Sequence, residues 1–494
     1  MRTLITEATY LAEDGSSWVK GNLLIEDEVI VALNPDPDHC DAIDQVISAR
    51  HQLVIPGLIN AHSHSYTSFL KGTIDSVPLD IYMLHAFAGN TIRDARTIEI
   101  STQLEAIQLL KFGVTSTVDH FMMRPVSTME GWEAAVKGYR TAGLRAVIAP
   151  QYSDLPFSDT VPFEAGELPD AFKSQPSSMT PEAYFTLLKA AMDRYNSSRD
   201  IRFICGVDGP QRCSEDLMRM TAEFERTHRV GWHTHILETK TQAIAAYNKY
   251  GKGLIEYIAD LGLLSDRTTF VHYIWVTEKE QALVREHGVN IAHCPSSSLH
   301  LGSGVAPVDE LVDLSDHVAI GTDGGNSGNL NLLEKIRLTA DLHNLGQPDY
   351  TKWINADQAL KLTYENGARV VMNPKIGKIK VGYDADLVFI DTNNLLWQPI
   401  NDLTTQLVYM ETGQNIVRVM VRGETVVLNG QSTRFDEAAL MAEAQAIAKT
   451  LSPLVESAFE RLKLQIPPYR SMYLREIRKD IGFNRFIRPF EDSK

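Results

Sequence analysis

Two histidines separated by a single residue, His62 and His64, follow the apolar run LVIPGLINA. If that run is a β-strand, both imidazoles point to the same side of it, because side chains alternate along a strand. Imidazole nitrogens bind zinc and ferrous iron, and two of them on one face form half of a metal site. The spacing therefore predicts metal-dependent chemistry at the end of this strand.

Two later segments supply the remaining ligands of such a site. The segment GWHTHILE offers His235 as a third imidazole, and the segment VAIGTD offers Asp323 as a carboxylate. His233 competes with His235 because it lies two residues earlier on the same alternating pattern, but His235 lies nearer the end of the run. Three imidazoles and one carboxylate suit one zinc or ferrous ion and leave a position for water. We therefore predict His62, His64, His235 and Asp323 as the metal ligands.

Two further side chains are placed to move protons beside this ion. Glu238 follows His235 by three residues, and His272 ends the apolar run TTFVH. A divalent ion brings the pKa of a bound water toward neutrality, and Asp323 can accept the proton that leaves. We expect Glu238 to act as a general acid and His272 to stabilise the developing charge. A glutamate that simply begins the next helix is the alternative interpretation of Glu238.

The spacing of residues along the chain says less about which side chains contact a substrate. Gln151 and Gln211 follow the third and fourth apolar runs, and we name them as candidates together with His120, Trp275 and His300. For His120 a structural role is the more common outcome. The glycine-rich segment LGSGVAP lacks the spacing of a phosphate-binding loop and is interpreted as a turn.

The elements that must position these residues are short apolar runs that alternate with helical patterns, which is typical of βαβ units. Active sites in closed barrels of this kind lie where the strands end. Helical periodicity is present over 97–112, 131–142, 181–195 and 277–287. The apolar runs predict an α/β fold, a (β/α)8 barrel, with strands at 54–61, 115–119, 145–150, 201–208, 230–237, 269–272, 290–294 and 318–321.

The two ends of the chain have a different sequence pattern. Short strands bounded by turns occupy the first 56 residues, and similar strands return in GYDADLVFID and IVRVMVRGETVVLNG. We predict a composite β-sandwich domain from 1–57 and 370–432, a barrel over 58–369 and a helical extension over 433–494, with an amphipathic helix at 435–464. The segment 153–180 is longer than most βα loops and is either a lid or a passive surface insertion.

Composition limits the classes of function. The 494 residues are 44% hydrophobic and 22% charged, as in ordinary globular proteins. A formal charge of -16 argues against nucleic acid or an anionic membrane surface as a partner. The four cysteines form no CxxC pair, so metal ligands must be mostly histidines and carboxylates. With no stretch apolar enough for a signal peptide or membrane span, we expect a cytoplasmic protein.

Several motifs together resemble the amidohydrolase superfamily, and within it the branch that is cytosine-deaminase-like and chlorohydrolase-like, of triazine-hydrolase type. The resemblance covers roughly residues 20–430 and rests on PGLINAHSH, HTHILET, FVHYIW, HCPSSSLHLGSG, IGTDGGNS and IGKIKVGYDADLVFID. It implies a distorted (β/α)8 TIM barrel joined to a β-sandwich from both chain ends. It also implies one Zn2+ or Fe2+ on the four predicted ligands. No lysine ends the third or fourth run to bridge a second ion, although Asp208 leaves a second ion open.

The resemblance implies hydrolytic deamination of an amino-substituted N-heterocycle such as a purine, pterin, pyrimidine or s-triazine, with release of ammonia. Glu238 favours this reaction, because an aromatic ring accepts a nucleophile readily only when a ring nitrogen is protonated. The alternatives are removal of chloride or an alkylamine from a triazine-type ring, and hydrolysis of a cyclic amide. Where nucleoside-processing relatives have a Trp and an acid, this chain has Asp80 and Tyr82. We expect a small heterocyclic substrate and a homo-oligomer, a dimer or larger.

Overall fold

The structure is a computed structural model that describes residues 1–40, 42–90, 93–307 and 317–488. Its strands, in chain order, are β1 (Arg2–Leu11), β2 (Trp18–Glu26), β3 (Val29–Leu33), β4 (Gln45–Ser48), β5 (Gln52–Pro56), β6 (Leu58–Ser63), β7 (Val114–Phe121), β8 (Arg145–Tyr152), β9 (Ile201–Phe203), β10 (Gly206–Val207), β11 (Trp232–Ile236), β12 (Thr268–His272), β13 (Asn290–His293), β14 (Val318–Ile320), β15 (Leu387–Asp391), β16 (Ile416–Val421), β17 (Glu424–Leu428) and β18 (Gln431–Ser432).

The α-helices in these residues connect the strands and extend the carboxyl end. They are α1 (Leu79–Gly89), α2 (Ala95–Lys111), α3 (Met129–Ala142), α4 (Pro181–Tyr195), α5 (Glu215–His228), α6 (Lys240–Tyr250), α7 (Leu254–Asp260), α8 (Glu278–His287), α9 (Pro295–His300), α10 (Leu332–Gly346), α11 (Ala356–Lys361), α12 (Glu365–Val370), α13 (Leu403–Tyr409), α14 (Glu437–Leu462) and α15 (Ile466–Glu476). Within the described ranges, none is both long enough and apolar enough to cross a membrane.

The barrel consists of two parallel sheets that meet at both edges. One sheet has the order β10-β8-β7-β6 with β9 also on β8, and the other has the order β11-β12-β13-β14. Single parallel bridges join Ser63 to Asp323 and Cys205 to Trp232. Because β9 and β10 share the fourth position, the bridges close a ring of eight strand positions, which confirms the predicted (β/α)8 architecture.

Two of the predicted strands are interrupted. The run 54–61 divides into β5 and β6 because the backbone changes partners at Gly57, whose N–H donates to Asp386, while the next N–H donates to Gly113. A Cβ at Gly57 would lie 2.1 Å from the Thr115 hydroxyl, so the crossing requires glycine. The run 201–208 likewise divides into β9 and β10. The prediction of one continuous strand over 54–61 and over 201–208 was wrong, because apolar character alone does not show which sheet a residue joins.

Both chain ends contribute to one nine-stranded sheet of order β18-β17-β16-β15-β5-β1-β2-β3, with β4 on β1. The edge strand β3 returns toward β15, because Val29 bridges Asp384. The folded sheet encloses a core of its own that includes Ile25, Val54 and Phe389. This confirms a composite β unit built from both ends, while the exact domain limits stay predictions.

The segment 153–180 and the carboxyl-terminal helices pack together over the end of the barrel. Phe157 stacks on Tyr469 with ring centroids 6.1 Å apart, and Arg475 Nη2 donates to the carbonyl of Pro162 at 2.7 Å. The predicted helix at 435–464 corresponds to α14. Beyond α15, the chain reaches the barrel again where Lys240 Nζ donates to the Ile477 carbonyl at 2.9 Å.

A buried ion-pair cluster joins the barrel to the nine-stranded sheet. Arg145, at the start of β8, has a side chain only 6% exposed. Its Nη2 lies 2.9 Å from an Asp384 oxygen, and its Nη1 pairs with Asp386 just before β15. Removal of the guanidinium would leave Asp386 buried without a counter-charge among the described residues, while Asp384 would keep its ion pair with Arg199.

We expect Arg145→Met to lower the free energy of unfolding by about 3–5 kcal/mol, because it leaves the buried Asp386 carboxylate without its ion-pair partner. Arg226→Met, which removes an exposed partner of Glu223, is the matched control and should change it by less than about 1 kcal/mol. Chemical denaturation of the two variants provides the comparison. Equal losses would show that the buried pair does not join the two units.

Candidate metal centre and active site

The ends of β6, β11 and β14 bring the four predicted ligands to one place. His62 lies within β6 and His64 just after it, His235 lies in β11, and Asp323 follows β14. The His62 carbonyl accepts the N–H of Asp323 at 3.1 Å, which fixes the last strand against the first. A Cβ at Gly321 would lie 2.9 Å from the Cβ of His62, so this close approach depends on glycine.

The donor atoms of these side chains converge. Asp323 Oδ1 lies 3.7 Å from His62 Nε2 and 3.4 Å from His64 Nε2, and His64 Nε2 lies 3.3 Å from His235 Nε2. Two imidazole nitrogens on one tetrahedral zinc ion, each at its usual bond length, are about 3.3 Å apart. The observed separation of His64 and His235 has that value.

Hydrogen bonds on the far side of each ring decide which nitrogens can bind a cation. His64 Nδ1 donates to the carbonyl of His120 at 2.8 Å, and His235 Nδ1 donates to Asp208 Oδ1 at 2.6 Å. These partners accept only, so each neutral ring carries its proton on Nδ1. When both rings are neutral, the two Nε2 atoms face each other with bare lone pairs, an arrangement that a shared cation stabilises. Burial lowers the pKa of His235, but the Asp208 carboxylate raises it by more, so this ring binds a cation at Nε2 in exchange for a proton.

His62 supplies a third unprotected nitrogen. It is fully buried, and neither ring nitrogen has a hydrogen-bond partner in the described chain. Burial lowers the pKa of His62 well below its usual value, and the neighbouring imidazoles lower it further, so the ring is neutral and can act as a ligand. Burial favours a protonated Asp323, but the imidazoles of His64 and His272 lower its pKa to about 2, so its carboxylate is charged.

Competing ligand sets fit less well. His233 points away from Asp323, with Nδ1 3.2 Å from His120 Nδ1 and Nε2 3.2 Å from the Ala61 carbonyl. Cys294 lies near His62 and Asp323, but burial raises the pKa of its thiol well above the usual value, so it is a poor ligand.

A second group, His120, Asp208 and His235, would place a second ion against the Nδ1 face of His235. That face already donates to Asp208. The geometry therefore favours one ion, as the sequence predicts.

Glu238 and His272 lie next to Asp323 on the open side of this cluster. His272 Nε2 is 3.4 Å from Glu238 Oε2 and 3.9 Å from Asp323 Oδ2. Burial raises the pKa of Glu238 to about 8, and the charge of Asp323 raises it in the same direction, so the group carries a proton near neutral pH. Burial lowers the pKa of His272 to about 3, which keeps that ring neutral.

The backbone is strained at three of the strand ends that surround the cluster. Leu237, His272 and Asp323 adopt positive φ values of 46°, 72° and 61°. Such left-handed conformations cost of the order of 1–3 kcal/mol each for residues with a side chain, and they concentrate at functional sites. Here they turn His272 and Asp323 toward Glu238, which follows Leu237.

Two adjoining cavities lie at this end of the barrel. The smaller, about 40 Å³, is lined by His64, His235, Glu238, His272 and Asp323 together with side chains that include Tyr82. The larger, about 610 Å³, is bounded by the segment 153–180, by β7 and β8 ends and by the end of α14. Gln151 and Arg212 line both cavities.

Of the predicted substrate contacts, Gln151 and His120 lie near the metal cluster. Gln151 Nε2 donates to Asp208 Oδ2 at 2.5 Å, and its Oε1 has no partner among the described residues. His120 is buried behind the cluster, with Nε2 3.4 Å from Asp208 Oδ1. Gln151 therefore lines the site with a free amide oxygen, and His120 packs against Asp208. Their roles toward a substrate stay predictions.

The other three candidates line neither of the two cavities, and their substrate roles stay predictions. Trp275 is buried and its Nε1 donates to the Ser303 carbonyl at 2.7 Å, while His300 is exposed at the end of α9. Gln211 is buried but lines neither cavity, whereas the next residue, Arg212, lines both. The sequence could not separate these neighbours, because the direction of a loop side chain depends on its tertiary contacts.

The model of the amidohydrolase family matches residues 53–426. The chain belongs to the amidohydrolase family. This confirms the predicted resemblance, and as an amidohydrolase the protein is a hydrolase of carbon–nitrogen bonds.

Curated relatives match most of the chain. A 5'-deoxyadenosine deaminase of Methanopyrus kandleri is 28% identical over 413 residues, which cover 83% of this chain and 89% of the relative. A 5-methylthioadenosine/S-adenosylhomocysteine deaminase of Lawsonia intracellularis is 29% identical over 432 residues, which cover 87% of this chain and 92% of the relative.

Solved structures share the fold. An adenosine deaminase from Xanthomonas campestris with bound zinc is similar with a TM-score of 0.81 and 25% identity, over 91% of this chain and 98% of the other. Atrazine chlorohydrolase TrzN from Arthrobacter aurescens TC1 with zinc has a TM-score of 0.80 and 22% identity, over 90% and 100% of the two chains. These likenesses confirm the TIM-barrel amidohydrolase fold.

In this amidohydrolase we expect His235→Ala to lower metal affinity at least about 100-fold, because it removes one of four ligands. His233→Ala, the matched control two residues away, should retain about one equivalent of metal per chain. Metal content after desalting, measured by mass spectrometry on variants checked for folding by circular dichroism, provides the test. Equal metal loss in both variants would contradict the ligand assignment, and two equivalents in the unmodified protein would contradict a single ion.

Proposed function

We propose that the protein is a mononuclear aminohydrolase that removes the amino group of an adenine-type ring and releases ammonia. The observation that carries the proposal is the position of the buried Glu238, whose Oε2 lies 3.4 Å from His272 Nε2 beside four converging ligand side chains and whose pKa burial raises to about 8. A buried carboxylic acid beside a metal centre is suited to protonate a ring nitrogen during attack on the neighbouring carbon. The names of the curated relatives, which are adenosine-type deaminases, support the adenine ring.

We propose Zn2+ as the ion, since the donor set of three imidazoles and a carboxylate suits it and two related structures contain zinc. When bound, the ion supplies Lewis acidity that makes water nucleophilic near neutral pH. Asp323, a charged carboxylate with Oδ1 3.4 Å from His64 Nε2, accepts the proton of the attacking water. Glu238 donates a proton to the ring nitrogen, and neutral His272 donates a hydrogen bond at the carbon under attack.

No observation of the structure favours either of the two alternative reactions, chloride removal and cyclic amide hydrolysis. Removal of chloride from a triazine-type ring is the activity that the TrzN structure is named for, but at 22% identity that likeness shows the fold alone. Cyclic amide hydrolysis makes less use of Glu238 as a ring-nitrogen acid. The homo-oligomer and the cytoplasmic location stay predictions.

The zinc-loaded protein should release ammonia from adenosine derivatives, but no chloride from chlorotriazines and no ring-opened product from lactams. The physical reason is that Glu238 can protonate a ring nitrogen next to an amino-bearing carbon. Measurement of ammonia, chloride and ring opening over one panel of compounds tests the proposal. Absence of ammonia from every amino-substituted ring would overturn it.

Glu238→Gln should lower kcat by about 100- to 10,000-fold with metal content unchanged, because the amide cannot supply the proton. Glu278→Gln, at an exposed position in the first turn of α8, is the matched control and should leave kcat unchanged. Steady-state rates with adenosine as substrate give the comparison. A Glu238→Gln variant with full activity would remove the proposed acid from the reaction.

A further inference from the structure

The proposed acid, Glu238, has one hydrogen-bond donor beside its carboxyl group. Its Oε1 accepts the hydroxyl proton of Ser303 at 3.5 Å, while its Oε2 lies 3.4 Å from His272 Nε2. No other side chain in the described ranges donates a hydrogen bond to this carboxyl group. Ser303 is only 2% exposed, so the contact is shielded from water. The two oxygens of the acid therefore have different surroundings.

The contact with Ser303 determines which oxygen of Glu238 carries the proton. The hydroxyl of Ser303 forms no second hydrogen bond with a described residue, so its proton is directed to Oε1. In a carboxylic acid, the oxygen without the proton is the stronger acceptor. The proton of Glu238 therefore belongs on Oε2, which faces His272, a residue that lines the smaller cavity.

The backbone around Ser303 is fixed by neighbours on both sides. Trp275 Nε1 donates to the Ser303 carbonyl at 2.7 Å, and the Ser303 N–H donates to the Ser298 carbonyl at 2.8 Å. Gly304 has a φ of 120°, a conformation that favours glycine, and a Cβ there would lie 3.0 Å from the Arg485 carbonyl. The position of Ser303 thus depends on Trp275 and on a segment near the carboxyl end of the chain.

That segment, residues 477–488, is called here the carboxyl-terminal tail, and it packs against the residues around the serine. The Val305 N–H donates to the Arg485 carbonyl at 2.8 Å. The ring of Phe486 contacts the indole of Trp275, and the two ring centroids are 4.8 Å apart. The tail therefore holds both the tryptophan that binds the serine carbonyl and the backbone that follows the serine.

We infer that Ser303 is a positioning residue for the proposed reaction and that the carboxyl-terminal tail keeps it in place through Trp275. The inference rests on the proposed function for the role of Glu238 as the acid. With the proton on Oε2, the O–H bond breaks toward the ring nitrogen, an N–H bond forms there, and the electron pair stays on the carboxylate. The hydrogen bond from Ser303 then becomes charge-assisted and stabilises that carboxylate.

Ser303→Ala should lower kcat for adenosine about 10- to 100-fold with KM and zinc content unchanged, because the carboxylate that forms loses a charge-assisted hydrogen bond. Ser303→Thr, which keeps the hydroxyl, should recover most of kcat. Ser265→Ala is the matched control and should keep full kcat, since Ser265 donates to a different buried glutamate, Glu225, at 2.7 Å. Steady-state rates of variants checked for folding by circular dichroism give the comparison, and full activity of Ser303→Ala would overturn the inference.

The same change in a Glu238→Gln background separates the positioning of the acid from a general structural role. The glutamine has no acidic proton to position, so Ser303→Ala should lower kcat less than about 2-fold there. An equal loss of kcat in both backgrounds would show that Ser303 acts independently of Glu238 and would overturn the inference. Full activity of Glu238→Gln alone would instead remove the proposed function, and with it the acid that Ser303 positions.

Phe486→Ala should lower kcat at least about 3-fold in the unmodified protein and cause no further loss beside Ser303→Ala, because both changes act on one acid. Ile487→Ala, at a neighbouring position that is 92% exposed, is the matched control and should leave kcat unchanged. Additive losses from Phe486→Ala and Ser303→Ala would overturn the role of the tail.

Hydrogen–deuterium exchange tests the tail without any substrate. The amides of residues 301–305 should exchange faster in Phe486→Ala than in Ile487→Ala, because the tail no longer holds this segment. Equal exchange in the two variants would overturn the role of the tail. If no amino-substituted compound yields ammonia, the proposed function fails and Ser303 loses its role, while the exchange rates still decide whether the tail holds the segment.

Discussion

The rest of the site depends on one constraint, namely that His64 and His235 present bare lone pairs to each other at 3.3 Å. Two hydrogen bonds impose it, from His64 to the carbonyl of His120 and from His235 to Asp208. Between two neutral rings, this arrangement is repulsive unless a cation lies between them. The barrel makes it stable by holding each ring from behind, so that a positive ion is the natural partner of the cluster.

Burial determines how the neighbouring acids behave. Asp323 and Glu238 are both buried carboxyl groups, yet imidazoles hold the pKa of Asp323 to about 2 while burial and the charge of Asp323 raise the pKa of Glu238 to about 8. Two acids a few ångströms apart thus take opposite protonation states at the same pH. That division provides a base and an acid without any group of unusual chemistry.

The segment 153–180 and the helices α14 and α15 convert this centre into a site with a second compartment. They wall a cavity next to the metal cluster, and Asp208 links the two, since it orients His235 on one side and contacts Gln151 and Arg212 on the other. The segment forms one wall of the cavity, held by the stack of Phe157 on Tyr469 and by Arg475. Whether it acts as a lid or as a passive insertion stays a prediction.

The sequence by itself determined the barrel, the pairing of both chain ends and the convergence of His62, His64, His235 and Asp323, because each depends on local periodicity and on residues at the ends of apolar runs. The sequence also placed His235 nearer the end of its strand than His233, while its role as the third ligand stays a prediction. Only the tertiary structure decided which loop side chains face the site. It buries Trp275 in the core, and it places Arg212, not the neighbouring Gln211, in the wall of the larger cavity. It also brings Arg124, which follows β7, to the wall of that cavity. The direction of a loop side chain is set by packing between segments far apart in the chain, and no local pattern encodes that packing.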